Sequence, residues 1–267
     1  MNKLQKALLE MSELDRLTAM DSPVHRLSPL AKLLVTIIYI AVTVSFGKYD
    51  LSGLAVMVLC PVLGFVFSGI PVSTCFYKLR IAIPLVVFVG LFNPIFDRAP
   101  LFYIGSIAVS GGVVSMLTLV LKGIFSLMAS FLLVASTPID RICAALRKLH
   151  VPSMLVTLLL LTFRYVGVLM QEAAVMSDAY RLRAPGQKGI HISAWGSFTG
   201  QLLLRSMDRA ERLYSSMQLR GFAGEFDYAG RVPFELRDVL FLVICAAVFT
   251  LFRTVNIPTL IGGLLVR

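Results

Sequence analysis

Apolar and polar positions fall along this chain in blocks of membrane-spanning length. Leu30–Phe46 is apolar apart from Lys32 at its entrance, and the polar turn Gly47-Lys48-Tyr49-Asp50 closes it. Leu51–Gly69 follows as a second block, so the two predict a helical hairpin. At about 1.5 Å per residue each block reaches close to the thickness of a bilayer's hydrocarbon core. Ile70–Arg80, with Pro71, Lys78 and Arg80, reads as a connecting loop. A third block, Ile81–Phe96, contains Pro84 and Pro94. A proline inside a lipid-facing helix strands a carbonyl, so kinks are expected there, packed against neighbours that satisfy it. Residues 97–111 read as a Gly/Ser-containing loop before a fourth block, Gly112–Ser136. A last run, Val239–Phe252, is short for a span but predicts a return across the membrane with help from its flanks. The pattern leaves Arg253 and Ile257–Val266 unassigned.

Between residues 137 and 238 the pattern turns from continuous to periodic. Thr137-Pro138-Ile139-Asp140 opens a short amphipathic helix through Leu149, and Val151-Pro152 ends it. A long helix should run from about Ser153 to Arg183. Its first half (Leu155–Leu161) is apolar enough to lie at or in the membrane interface. In its second half Leu169, Ala173, Met176, Tyr180 and Arg183 share one face, and Ala184-Pro185-Gly186 stops it. A second helix, roughly Ser197–Arg220, puts Leu203, Met207, Ala210, Leu213, Met217 and Arg220 on one face. Arg205, Asp208, Arg209 and Arg212 lie around the other side, and Gly221 supplies a left-handed stop.

An offset of 37 residues superposes Arg183 on Arg220, Ala173 on Ala210 and Leu182 on Leu219. Two helices thus end in one device, Leu182-Arg183-Ala184 and Leu219-Arg220-Gly221. An arginine at a helix C-terminus gains from the macrodipole, a sufficient structural reason for either one. The functional reading is that two guanidinium tips plug into two acidic grooves of a dimeric partner, pairing bidentately with carboxylate. Periodicity alone leaves both open.

Composition changes the solvent in which these helices are expected. The chain is 57% hydrophobic and 15% charged, with mean hydropathy +0.83, against about half apolar and about a quarter charged for an ordinary soluble domain. The fold expected is an all-α polytopic membrane protein: about four N-terminal transmembrane helices, a cytoplasmic coupling-helix segment and a C-terminal transmembrane helix. Its segments are 1–29, 30–136, 137–238 and 239–267. Residues 137–238 hold 13 of the 25 Lys and Arg. By the positive-inside rule this segment, the N-terminus and the loop around Lys78 and Arg80 are expected in the cytoplasm of a multi-pass cell-membrane protein. Lys48 and Asp97 then face outside. Residues 1–29 carry four acidic and four basic side chains and show no cleavable signal.

Candidate chemistry is sparse. Apart from Lys122, the four N-terminal spans hold no ionisable residue within them, whereas a secondary transporter or pump keeps carboxylates there. Lys122 lines the bundle, snorkels, or contacts a partner or substrate. No phosphate loop is present, and His25, His150 and His191 lie far apart, so neither ATP binding nor a zinc or His-based centre is expected. Cys60, Cys75, Cys143 and Cys245 are scattered and read as small core residues. The net charge of +10 would suit an enzyme acting on lipid phosphate, but no cluster of acid, base and nucleophile accompanies it. A membrane anchor for some other complex is the third reading. No nucleic-acid partner is expected.

At these residues the chain resembles the transmembrane (T) component of an energy-coupling factor transporter, and most of all the CbiQ-type component of cobalt uptake systems. The N-terminal mark is Asp21-Ser22-Pro23-Val24-His25-Arg26-Leu27-Ser28-Pro29-Leu30-Ala31-Lys32-Leu33, with Ser28 where the family usually shows Asp. Asn93-Pro94-Ile95, Ala144-Ala145-Leu146-Arg147-Lys148-Leu149 and Leu160-Leu161-Thr162-Phe163-Arg164-Tyr165 are similar as well. The family's coupling helices end in Ala-Arg-Gly or related triplets. The resemblance therefore implies that Arg183 and Arg220, with Leu182, Ala184, Leu219 and Gly221, seat on two ABC-type ATPase subunits. It also implies that ATP and Mg are bound by those partners and that a separate small membrane subunit captures the substrate. The chain itself would then be a non-enzymatic scaffold without cofactor or metal. Cobalt is the substrate expected, with nickel or a vitamin as alternatives.

Overall fold

The computed structural model describes residues 3–96, 100–104, 107–187, 189–222, 224 and 235–254. Asp97, Arg98 and Ile257–Val266 lie outside that set. The chain forms two compact units: Leu17–Pro138 with Val232–Arg267, and Met1–Arg16 with Ile139–Arg231. Helix α1 (Lys3–Thr18) opens the chain. The first unit is a bundle of α2 (Pro29–Ser45), α3 (Leu51–Val56), α4 (Leu59–Ser68), α5 (Val72–Leu79), α6 (Ala82–Gly90), α7 (Asn93–Phe96), an antiparallel hairpin β1 (Pro100–Ile104) and β2 (Ile107–Ser110), then α8 (Gly111–Ser136) and, after the other unit, α12 (Leu236–Thr254). The second unit adds α9 (Ile139–Lys148), α10 (Ser153–Arg183) and α11 (Ile192–Leu219). The class is all-α, with the small hairpin as its one strand pairing among the described residues.

Three helical stretches are long and apolar enough to cross a membrane: Leu51–Ser68, Gly111–Ser136 and Ser153–Arg183. The pair α5 and α6, bent by 65°, adds a fourth if it counts as one span, and α2 is a shorter apolar helix of 17 residues. α8 is the axis of the bundle. Against it Phe125 and Ala129 pack with Tyr39, Phe46, Leu54, Met57 and Phe249 in one buried cluster. Met128 and Ala135 pack with Phe65, Ile70, Cys75 and Leu79 in the other. α6 approaches so closely that a Cβ on Gly123 would meet Val86 Cγ1 at 2.6 Å, the small-residue contact by which membrane helices gain van der Waals packing.

The region of the third block departs from its expected form. Val72–Leu79 is a helix rather than a loop, because Cys75 and Leu79 fall one turn apart and bury together. The prolines do not kink a continuous span. Pro84 stands in the first turn of α6 and Pro94 at the second position of α7, where a missing N–H costs nothing. The chain instead bends between α5 and α6. The 97–111 loop holds the hairpin.

The second span is interrupted between Val56 and Leu59 for a reason visible in the bonding. Pro61 has no N–H for the carbonyl of Met57, four residues earlier. That carbonyl accepts instead from the Tyr39 hydroxyl at 3.0 Å and, at 3.3 Å, from the Cys60 N–H. A neighbouring helix thus supplies the donor that proline removed.

α2 carries complementary charge at both ends. Ser28 stands at its N-cap and makes no side-chain cap. Asp238, buried at the start of α12, accepts the Ser28 N–H at 2.9 Å through Oδ1. The carboxylate expected at residue 28 therefore comes from 210 residues further along. At the other end, Lys122 donates to the carbonyls of Val44 and Phe46, and Arg253 donates to Ser45 at 3.2 Å while its guanidinium lies 4.8 Å from the Phe46 ring centre. Lys122 is thus a C-terminal cap for α2. Lys32 returns the favour to α8, donating from a buried position to the Ser136 carbonyl at 2.9 Å. Negative charge at a helix start and positive charge at its end each oppose the macrodipole. These contacts make α2 antiparallel to α8 and parallel to α12, so α8 ends and α12 begins at the same end of the bundle.

The N-terminal mark is a self-bonded turn. Arg26 grips Asp21 bidentately at 2.9 and 2.8 Å, which holds the Asp21 carboxyl below its ordinary range. Ser22 Oγ bonds His25 Nδ1 at 2.7 Å, and His25 Nε2 donates to the Leu17 carbonyl at 3.1 Å. One ring nitrogen accepts and the other donates, so a single neutral tautomer satisfies both.

Candidate coupling site

The two helix ends marked by Leu-Arg belong to one unit. α10 runs unbroken through Arg183, and the Ala184 N–H still bonds the Tyr180 carbonyl at 3.0 Å. Tyr180 then fixes the departing chain: its hydroxyl donates to Gln187 Oε1 at 2.9 Å and accepts the His191 N–H at 3.4 Å. His191 in turn caps α11, its Nδ1 accepting the Ser193 N–H at 3.4 Å. This cap starts α11 at Ile192, five residues before the expected Ser197.

α11 ends on Arg220 in a different geometry. The Gly221 N–H bonds the Gln218 carbonyl at 2.9 Å, the Phe222 N–H bonds that of Met217 at 3.0 Å, and Gly221 has φ +80°. This paired closure needs a left-handed residue after the cap, which glycine adopts without strain. Ala184, at the matching position after Arg183, has φ −127° and needs no glycine. The two ends therefore share sequence but not backbone: the Ala/Gly difference follows from φ.

At both ends the leucine points outward. Leu182 is 85% exposed and Leu219 90%, and Arg183 and Arg220 are exposed beside them. Burying one leucine against a partner contributes about 1.5–3 kcal/mol, and a guanidinium next to it adds directional pairing with carboxylate. An apolar knob beside a cation, repeated on two helix ends, forms two small Leu-Arg heads.

The helices that carry them are antiparallel. Leu161, Thr162, Tyr165 and Leu169 face Ser206, Arg209, Ala210 and Leu213 across one groove, while Ser153, Met154, Thr157 and Leu158 line another with Tyr214, Met217 and Phe222. Glu172 ties the pair together, ion-paired to Arg205 and 3.8 Å from Arg209 Nη2. Leu169 and Ser206 share a groove and are themselves 37 residues apart, the same offset as the arginines. Arg183 lies 14 residues beyond the first and Arg220 14 beyond the second. Each head thus projects about 21 Å from equivalent points, in opposite senses, a separation of about 42 Å measured along the helices.

The expected apolar face of α11 is covered only at one end: Met217 is buried, whereas Leu203 and Met207 stay exposed. Three features escaped the sequence: the Tyr180 tie, the His191 cap and the Glu172 clamp. Glu172 had a legible signal, an acid on one helix facing Arg205 and Arg209 on the next, but its pairing depends on a crossing that periodicity does not fix. Among the described residues no three His, Cys, Asp or Glu side chains gather as a metal-binding group.

Comparison with known proteins bears on the family of the chain. The family model CbiQ, described as "Cobalt transport protein", matches residues 20–229. The chain is similar to the cobalt transport protein CbiQ of Rhodobacter capsulatus, 33% identical over 115 residues, 42% of this chain and 46% of that protein. It is 30% identical over 117 residues to the nickel permease LarQ of Lactiplantibacillus plantarum, 44% of this chain and 43% of that protein. With the energy-coupling factor transporter transmembrane protein EcfT of Bacillus selenitireducens it shares 29% identity over 258 residues, 87% and 91% of the two chains. The chain thus spans less than half the length of the first two and most of the third.

Proposed function

This chain belongs to the CbiQ family of cobalt transport proteins, and from that premise we propose that it is the T component of an energy-coupling factor importer, joining two ABC-type ATPase subunits to a small substrate-binding membrane subunit. The observation that carries the reading is the pair of exposed Leu-Arg heads at equal distances from an antiparallel crossing. That arrangement has the pseudo-twofold form a dimeric partner requires. ATP and Mg bind in the partners; closing of the ATPase pair shifts its two grooves and carries Arg183 and Arg220 with them. Coupling needs the partner's two states to hold these heads differently, since only a differential interaction moves an equilibrium.

Connectivity supports a single-sided docking unit. α8 ends and α12 begins beside the first turn of α2, so the segment between them crosses the membrane an even number of times. α10 is long and apolar enough for one crossing. α11, with Arg205, Asp208, Arg209, Glu211 and Arg212 within about two turns, offers no return span. α10 therefore reads as an interfacial helix, with exposed Leu155 and Phe163, which lie outside the grooves shared with α11, available to lipid. The excess of Lys and Arg in 137–238 supports a cytoplasmic reading of that side, and of the N-terminus with it.

The substrate we favour is a transition-metal ion, cobalt by family description, with nickel as the second reading because a nickel permease matches a similar share of the chain. The test is the double substitution Arg183→Glu with Arg220→Glu, assayed for co-purifying ATPase and for uptake of labelled cobalt and nickel. Loss of both with normal membrane insertion is expected; undiminished uptake refutes the coupling role.

A further inference from the structure

Three covalent links join the two units: Arg16–Leu17, Pro138–Ile139 and Arg231–Val232. On the bundle side, each is fastened to one short stretch, His25–Lys32. Beside the first link, the Leu17 carbonyl is held by His25 Nε2 at 3.1 Å. Before the second, the Ser136 carbonyl is held by Lys32 Nζ at 2.9 Å. After the third, the Glu235 N–H bonds Asp238 Oδ2 at 3.0 Å, and the other oxygen of that carboxylate takes the Ser28 N–H at 2.9 Å. His25, Ser28, Lys32, Ser136 and Asp238 are all buried.

The first link runs directly into α2, but nothing in chain connectivity brings the second and third there. Each of those two could have ended on a different helix of the bundle. Two of the three fastenings also use a buried charge, and charge-assisted bonds shielded from water are short, directional and resistant to shear. A displacement entering through any link is therefore delivered to the first turn of α2. Helix ends without such ties would fray and dissipate it.

We propose that His25–Lys32 is a collar that passes displacement of the Arg-tipped unit into the membrane bundle, with Lys32 and Asp238 as its positioning residues. The proposal rests on the coupling reading above. It assigns to Asp238 a role separate from docking, since the residue lies in the bundle unit and neither Leu-Arg head does.

The experiment uses the assembled transporter in liposomes, with this chain, its ATPases and its substrate-binding subunit. Asp238→Asn keeps the shape but removes the charge and one of the two acceptor oxygens that hold Ser28 and Glu235; Lys32→Met removes the tie to Ser136. Expected in each is unchanged recovery of ATPase and unchanged ATP hydrolysis, with metal uptake per ATP hydrolysed reduced roughly tenfold, within the range of inter-site couplings. A purely structural role would lower the thermal stability and yield of the complex and leave that ratio intact, which overturns the proposal. Where the variants do not assemble, hydrogen exchange on the unmodified complex decides. Amides of residues 26–32 whose exchange changes with nucleotide support the collar; change confined to α10 and α11 overturns it. Absence of any ATPase from the unmodified complex sinks the coupling reading and the collar with it, an outcome distinct from full uptake in both variants, which sinks the collar alone.

Discussion

Replacing Tyr39 by Phe removes one oxygen and tests why the second span tolerates Pro61. The ring contact is preserved: Tyr39 packs edge-on to Phe249 with centroids 5.3 Å apart, and Phe fills the same space. The loss falls on the Met57 carbonyl, whose residue is fully buried and which then keeps only the 3.3 Å bond from Cys60. An unsatisfied buried carbonyl costs about 1–3 kcal/mol, and hydrogen bonds between membrane helices average about 0.6 with a maximum near about 1.7. The remaining Cys60 bond argues for the lower part of the range, about 1 kcal/mol. Pro61→Ala restores an N–H four residues after Met57, so in that background Tyr39→Phe should cost close to nothing. Reversible unfolding in mixed micelles of the four proteins of this double-mutant cycle measures the coupling. Equal cost of Tyr39→Phe in both backgrounds would show that the hydroxyl does not stand in for the proline's missing donor.

Other outcomes follow from the backbone and the charges. Gly221→Ala adds a Cβ that meets no neighbour, yet φ +80° makes it cost about 1 kcal/mol; Ala184→Gly relieves no such strain, so ATPase recovery should fall in the first variant and hold in the second. His150 occupies the same left-handed position after α9, at φ 63°. His150→Gly should therefore raise stability by about 0.5–1 kcal/mol, read as a higher unfolding midpoint. The Asp21–Arg26 pair sets a pH dependence. Arg26 lowers the folded-state pKa of Asp21 below its ordinary 3.8, so the pair's contribution is present above that value and is lost as pH falls through the lowered one. The difference in thermal midpoint between the native chain and Arg26→Gln should shrink to nothing across that window, and a difference that persists below it contradicts the assignment.

What the sequence disclosed was local. The block lengths located α2, α8 and α12 to within a few residues, and Pro138 and Pro152 bracketed α9 because proline acts on its own helix. Gly221 was legible as a left-handed stop for the same reason. Failures came where a short element is decided by contacts elsewhere. Val72–Leu79 has too few apolar residues to declare itself, but gains a buried side against α4 and α8. The equivalence of the two arginine ends held for their spacing and failed for their backbone, since φ at residue 184 depends on how Tyr180 holds the loop beyond it. Lys122 stood out as the lone charge in its span, but its partners on α2 lie 76 and 78 residues away. Asp238, at 210 residues from Ser28, gave no signal at all. It sat among ordinary polar residues at the foot of a helix.

The charges that complete α2 also set a timetable for biogenesis. Its carboxylate and its two terminal cations, Asp238, Lys122 and Arg253, leave the ribosome long after the helix itself. α2 is thus finished only after the helices that follow it, through α12, have been made. Until the final hydrophobic stretch has been inserted, its exposed peptide groups remain available to insertase or chaperone, and nascent chains cut short of residue 238 should linger there instead of maturing.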